Sequence, residues 1–167
     1  MLTKIWYFLE KSLRFILIHI FHFKFSVDTW NHLIQFVKFG IIGISNTLIS
    51  YLIYLSALFF LQKNNLWPNI DYLLAQFAGF MLSVLWSFYW NRKYVFDSVG
   101  KKTWFTVLIK TYLSYAFTGL FLNNILSLLW VEVLKLSKLI APLFTLILSV
   151  PINFLINKFW AFRVKRD

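Results

Sequence analysis

The chain has no cysteine and only six acidic residues among its 167. The first absence excludes disulfides and thiolate metal sites, and leaves the redox compartment unread. The second removes most enzyme chemistry. Glu10, Asp28, Asp71, Asp97, Glu132 and Asp167 lie at the margins of apolar runs or outside them, so there is no carboxylate pair and no membrane-embedded proton carrier of the kind a proton-coupled exporter needs. No nucleophile has a neighbouring base, and no glycine-rich phosphate loop is present, so the chain reads as neither an enzyme nor an ATP-driven pump, and no cofactor is expected. His19 and His22 stand one helical turn apart without a further ligand at metal spacing, and read as interfacial side chains.

What is present is hydrophobic. Apolar residues make up 60% of the chain and aromatic residues 22%, with a mean hydropathy of +0.69 and 14% charge, which lies outside the soluble globular range. A bilayer core of roughly 30 Å needs about 20 mostly apolar residues per helix. Four runs qualify, at about 39–62, 72–91, 111–131 and 139–157. The expected fold is an all-α integral membrane protein of four helices arranged as two hairpins.

The net charge of +11 is distributed by position. Lys4, Lys11, Arg14, Lys24 and Lys38 precede the first run; Arg92, Lys93, Lys101, Lys102 and Lys110 lie around the central loop; Lys158, Arg163, Lys165 and Arg166 follow the last run. The two other connections hold only Lys63, and Lys135 with Lys138. By the positive-inside rule both termini and the central loop face the cytoplasm. Anionic membrane lipids, at about 1 kcal/mol per nearby cation, account for this charge. Nucleic acid is not an expected partner, because the cations flank spans rather than forming a face.

Residues 1–34 are expected to form an amphipathic interfacial segment ahead of a transmembrane domain at 35–167. Ile5, Leu9, Leu13, Ile16, Ile20 and Phe23 share one helical face, with Lys4, Lys11, Arg14 and His22 opposite. A fifth span over 5–25 is the rival. A signal peptide is not expected, since charges interrupt the apolar region and no small-residue cleavage site follows. Ser26-Val-Asp28 reads as a helix start, Asp71 as an N-cap for the second span, and Gly40 with Gly43 as a surface for close helix packing.

The most informative pattern is a duplication. Ser83, Ser87, Asn91, Arg92 and Phe96 return at a constant offset as Ser149, Asn153, Asn157, Lys158 and Phe162. Polar residues four apart share one helix face, so each copy carries a thin polar stripe ending at a cation. The two hairpins enter from the same side, which makes the repeat parallel. Pro151, where the other copy has Leu85, tends to kink its helix. The stripes are open to two readings, a route for a polar, anionic headgroup or plain hydrogen bonding between helices. The terminal cations are of the kind that sets orientation in most membrane proteins and are also candidates for phosphate capture, and Trp86, Trp90, Tyr94, Phe159 and Trp160 fit an interfacial belt.

Gly43-Ile-Ser-Asn46-Thr47, Phe88-x-x-Asn91-Arg92-x-x-x-Phe96 and Asn153-Phe154-x-x-Asn157-Lys158-x-Trp160-x-Phe162 together resemble the GtrA-like family of small four-span membrane proteins. The resemblance covers about 36–162. It implies a translocase, or flippase, that moves a polyprenyl-phosphate-linked sugar between leaflets for cell-surface polysaccharide synthesis, with a separate membrane glycosyltransferase as partner. The long basic start and Ser87, where the second copy has Asn153, depart from the family pattern. On this reading Asn46, Ser83, Ser87, Asn91, Asn123, Ser149, Asn153 and Asn157 would offer the sugar donors and acceptors. Lys38, Arg92, Lys93 and Lys158 would hold the phosphate. A homo-oligomer is an expectation too, since two short hairpins enclose little volume. The alternative function is a non-transporting accessory subunit that anchors or stabilises the transferase.

Overall fold

The structure, a computed structural model, describes residues 2–96, 104–137 and 140–163. Every regular element among them is helical. Helix α1 covers Leu2–Arg14 and continues into wider π turns at Phe15–Ile20; α2 covers Val27–Lys63 and α3 Asp71–Tyr94. Helix α4 covers Trp104–Val133, with π turns at Phe117–Leu122 and Leu129–Val133. Helix α5 covers Ala141–Ile156 and widens at Asn157–Ala161. Four helices are long and apolar enough to cross a membrane, Val27–Lys63, Asp71–Tyr94, Trp104–Val133 and Leu143–Ala161, and the segment 2–20 is not among them. The protein is an all-helical, multi-pass membrane protein. The central loop 97–103, residues 138–139 and the basic end at 164–167 lie outside the described residues.

The chain divides into two units, Met1–Val37 and Lys38–Asp167. In the first, Ser26 opens α2 as the sequence suggests, its Oγ accepting the Thr29 N–H at 3.2 Å. Trp30 and Ile34 are buried, the Trp30 indole donates to Glu10 Oε1 at 3.3 Å, and the Arg14 guanidinium sits 6.0 Å from the Trp30 ring. The run 5–25 is not one helix. It breaks after Ile20, and His22 adopts a left-handed φ of 56°, a conformation that costs a non-glycine residue energy.

In the second unit, α2 and α3 form a tight hairpin. The contact is made by Gly79, where an added Cβ would sit 2.9 Å from the Ser50 carbonyl oxygen. Gly40 and Gly43, expected to take this role, do not. Nothing lies within 4 Å of a Cβ built on either, because their face of α2 borders open space instead of a helix. Asp71 is also displaced from its expected place. The flanking position is Ile70, and Asp71 stands inside the first turn, where its carboxylate accepts the Tyr72 N–H at 2.7 Å and the Gln62 amide at 3.0 Å. A carboxylate in a first turn is favoured by the helix dipole.

Helix α4 begins seven residues before the expected 111. Lys110 does not end it because its ammonium lies 5.5 Å from the Trp160 ring, a placement that lets a long cationic side chain lie along apolar surface. Helix α5 runs unbroken through Pro151.

The ends of α3 and α5 meet in a cluster of phenylalanines with an internal two-fold character. Phe96 stacks on Phe162 with centroids 4.4 Å apart. Phe88 stacks on Phe162 at 6.0 Å and 26°, and its counterpart Phe154 stacks on Phe96 at 6.1 Å and 25°. The hairpin-opening helices add matching edge contacts, Trp104 on Phe88 at 5.7 Å and Phe39 on Phe154 at 5.4 Å. Even the backbone repeats: Phe96 N–H reaches the Asn91 carbonyl at 2.9 Å, and Phe162 N–H the Asn157 carbonyl at 2.8 Å. The duplicated sequence is thus a duplicated helix ending, and the two copies pack on each other.

Candidate functional site: two buried amide stripes beside an open groove

Serine and asparagine four residues apart share a helix face, and in both copies that face turns inward. On α3, Ser83, Ser87 and Asn91 are buried, the last two completely. The Asn91 amide donates to Ser87 Oγ at 3.0 Å, and Ser87 shares a hydrogen bond with the Tyr115 hydroxyl. Ser83 bonds back to its own helix at the Phe80 carbonyl. On α5, Ser149 is buried, Asn153 half-buried and Asn157 completely buried. Asn157 Nδ2 reaches Ser114 Oγ at 2.9 Å and Asn153 Oδ1 at 3.0 Å, and Ser114 donates to Asn153 Oδ1 at 3.1 Å. The two stripes therefore end on consecutive residues of α4, Ser114 and Tyr115.

These partners on α4 escaped the sequence reading, although a signal existed. Thr111, Ser114, Tyr115 and Thr118 recur at three- and four-residue spacing, which is itself a polar stripe, and Thr111, Ser114 and Thr118 are buried.

Beside this network lies a cavity of about 860 Å³ bordered by α2, α4 and α5. Gly40, Gly43 and Gly119 form parts of its wall where the backbone is bare, Phe39, Tyr51 and Phe80 supply rings, and Asn46, Asn123, Ser149 and Asn153 supply polar groups. A smaller cavity of about 540 Å³ continues toward α3, shares Asn46, Thr47, Tyr51, Phe80 and Tyr115 with the first, and adds Ser83, Ser50 and Gln76. Asn46 Oδ1, Asn91 Oδ1, Asn123 Oδ1 and Asn157 Oδ1 have no hydrogen-bond partner although each is shielded from solvent. An unpaired buried acceptor costs roughly 1–3 kcal/mol, and two of these four oxygens, on Asn46 and Asn123, belong to residues that line the larger cavity.

The sequence-derived residues separate into three groups. Asn46, Asn123, Ser149 and Asn153 line the larger cavity, and Asn46 with Ser83 the smaller. Ser87, Asn91 and Asn157 belong to the hydrogen-bonded network and line neither. Lys38, Arg92, Lys93 and Lys158 line neither cavity. Arg92 and Lys158 follow Asn91 and Asn157 directly, both half-buried, and Arg92 Nη1 is shielded without a hydrogen-bond partner. Lys158 lies 5.4 Å from the Phe154 ring. Lys93 is exposed and sits 5.5 to 5.6 Å from the rings of Tyr89, Trp90 and Tyr94. Lys38 is half-buried at the start of the second unit.

A four-helix membrane bundle with two matched Asn-cation-Phe endings is the frame on which comparison with known proteins bears. The family described as the GtrA/DPMS transmembrane domain matches residues 38–162. The chain belongs to this family. The match begins at the first residue of the second structural unit, so the GtrA/DPMS domain and that unit start together. Among curated proteins the chain is 28% identical, over 100 residues, to the cell wall teichoic acid glycosylation protein GtcA of Listeria monocytogenes serovar 1/2a, covering 59% of this chain and 68% of the relative. The GtcA of Listeria innocua serovar 6a is 25% identical over the same shares.

Proposed function

We propose that the protein is a translocase that carries a polyprenyl-phosphate-linked monosaccharide across the cytoplasmic membrane, for glycosylation of a cell-wall or other surface polymer. Membership of the GtrA/DPMS family and the GtcA relatives support a part in cell-wall glycosylation. The observation that carries the transport reading is the convergence of the α3 and α5 amide stripes on Ser114 and Tyr115, beside a groove in which the Asn46 and Asn123 carbonyl oxygens lack a donor.

The physical need is plain. Each sugar hydroxyl stripped of water without a partner costs roughly 4–8 kcal/mol in pure hydrocarbon. Neutral amides and hydroxyls along a groove replace the lost water without the cost of burying a fixed charge. The isoprenoid tail stays in lipid, which an open groove between helices permits. Arg92, Lys158, Lys93 and Lys38 are the cations of the cytoplasmic end under the positive-inside rule, and the Arg92 nitrogen without a partner suits a phosphate oxygen. Chemistry is left to a separate membrane glycosyltransferase.

The second reading, an accessory subunit that stabilises such a transferase, draws on the first unit, which lies outside the family match and exposes Tyr7, Phe8, Phe15 and Phe21. Reconstitution of the purified protein alone, in vesicles of phosphatidylethanolamine and phosphatidylglycerol with a labelled polyprenyl-phosphate hexose, separates the two. Accelerated exchange between leaflets supports the translocase. Unchanged exchange, with loss of transferase from a deletion strain, supports the subunit.

A further inference from the structure

The groove carries information about the sugar itself. Every polar side chain on its wall is neutral: asparagine, threonine, serine and tyrosine in the larger cavity, with glutamine added in the smaller. Among the described residues, no lysine, arginine, histidine, aspartate or glutamate lines either. The cations assigned to the phosphate lie elsewhere in the chain, so the charged and uncharged parts of a glycolipid head would be met by different residues.

We infer that the groove between α2, α4 and α5 selects a neutral monosaccharide ring, and discriminates against sugars bearing a carboxylate or a free ammonium group. This rests on the proposed function only in that the ligand is a lipid-linked sugar. Four observations converge on it. The volume of about 860 Å³ falls within the usual range of small-molecule sites. Asn46 and Asn123 stand on two different walls, each with a carbonyl oxygen lacking a donor, and sugar hydroxyls are donors. Tyr51, Phe80 and Phe39 present rings to the same space, and the C–H faces of a pyranose pack on such surfaces. Gly40, Gly43 and Gly119 keep the wall bare, since nothing lies within 4 Å of a Cβ placed on any of them.

A charged sugar fails here for an electrostatic reason. An ion removed from water is tolerated only when a counter-charge or several hydrogen bonds replace its hydration. The described residues of the walls have hydrogen-bond groups sized for hydroxyls and no counter-charge of either sign. A hydroxyl or N-acetyl group meets no such penalty.

The test is equilibrium binding to the purified full-length protein in detergent, by competition against a fluorescent short-chain polyprenyl-phosphate hexose. Three competitors share one isoprenoid phosphate and differ only in the sugar: a neutral hexose, the corresponding uronate, and the corresponding hexosamine with a free amine. The neutral hexose is expected to bind at least about tenfold more tightly than either charged form, a difference of about 1.4 kcal/mol. Asn123→Asp and Asn46→Asp, near-isosteric changes, are expected to gain affinity for the free amine by about tenfold and to weaken the uronate further. Equal affinity for all three sugars, or binding of none, overturns the inference. Neutral selectivity without transbilayer exchange would leave it standing and remove the translocase, whereas exchange of all three at one rate would keep the translocase and remove the selectivity.

Discussion

Phe96 and Phe162, one from each copy of the repeat, stack on one another with ring centroids 4.4 Å apart and planes 21° from parallel. Residues at equivalent places in a duplicated sequence touch in this way only if the copies are related by a local two-fold. The flanking pairs agree to within about 0.1 Å: Phe88 with Phe162 at 6.0 Å, Phe154 with Phe96 at 6.1 Å. The stack locks the inner ends of both hairpins, and the amide stripes start one residue away from the cations that follow them.

Phe96→Ala and Phe162→Ala are expected to destabilise the protein by similar amounts, about 3 kcal/mol each, because both rings are almost fully buried. The double substitution should cost less than the sum by about 1 kcal/mol, the worth of the ring pair. Unfolding in mild detergent, followed by tryptophan fluorescence, measures all three. Unequal effects would argue against the two-fold relation.

The glycines divide sharply. Gly79→Ala places a Cβ 2.9 Å from the Ser50 carbonyl oxygen, a backbone atom that cannot swing aside, so loss of at least about 1–3 kcal/mol is expected from overpacking. Gly40→Ala and Gly43→Ala meet nothing within 4 Å and should be neutral or gain about 0.5–1 kcal/mol from reduced chain entropy. Gly43→Leu should keep stability and slow lipid exchange, since its side chain enters the groove. Thermal melts paired with vesicle assays check each variant.

Asn157→Leu removes the bonds to Ser114 Oγ and to Asn153, each worth about 0.5–1.5 kcal/mol, while Ser114 keeps its bond to Asn153 Oδ1. Exchange activity at equal protein amount should fall by about tenfold or more, a barrier increase of about 1.4 kcal/mol. Wild-type exchange in this variant would remove the α5 stripe from the route.

Arg92→Ala and Lys158→Ala should impair exchange more than Lys165→Ala at matched expression, because the first two directly follow the amide stripes whereas Lys165 lies near the C-terminus. Equal losses for all three would assign the cations to membrane orientation. Rising salt should leave most of the difference in place, since Arg92 and Lys158 are half-buried and screening weakens exposed charge first.

The four spans and the repeat are legible in the sequence because both are local properties: run length against bilayer thickness, and residue identity at fixed spacing. Ser114 and Tyr115 are less so. Their spacing shows a stripe on α4, yet which neighbours it meets depends on how the helices rotate against each other and on the π turn at Phe117–Leu122, which shifts side-chain register. The glycine reading failed for a related reason. A pair such as Gly40 and Gly43 marks where a backbone is bare, and only the fold decides whether a helix or a cavity fills the space. Gly79, isolated in sequence, makes the contact instead. Asp71 moved because a carboxylate can serve a helix start from the first turn as well as from the flanking position.

The most direct test is photolabelling in vesicles with a polyprenyl-phosphate hexose that carries a diazirine on the sugar, followed by mass spectrometry of the labelled peptides. The account predicts label on the groove walls, at or next to Asn46, Asn123 and Asn153, displaced by unlabelled glycolipid and abolished by Gly43→Leu. Label confined to outward faces such as Leu52, Leu120 and Leu148, which line neither cavity, and indifferent to competitor, would contradict it.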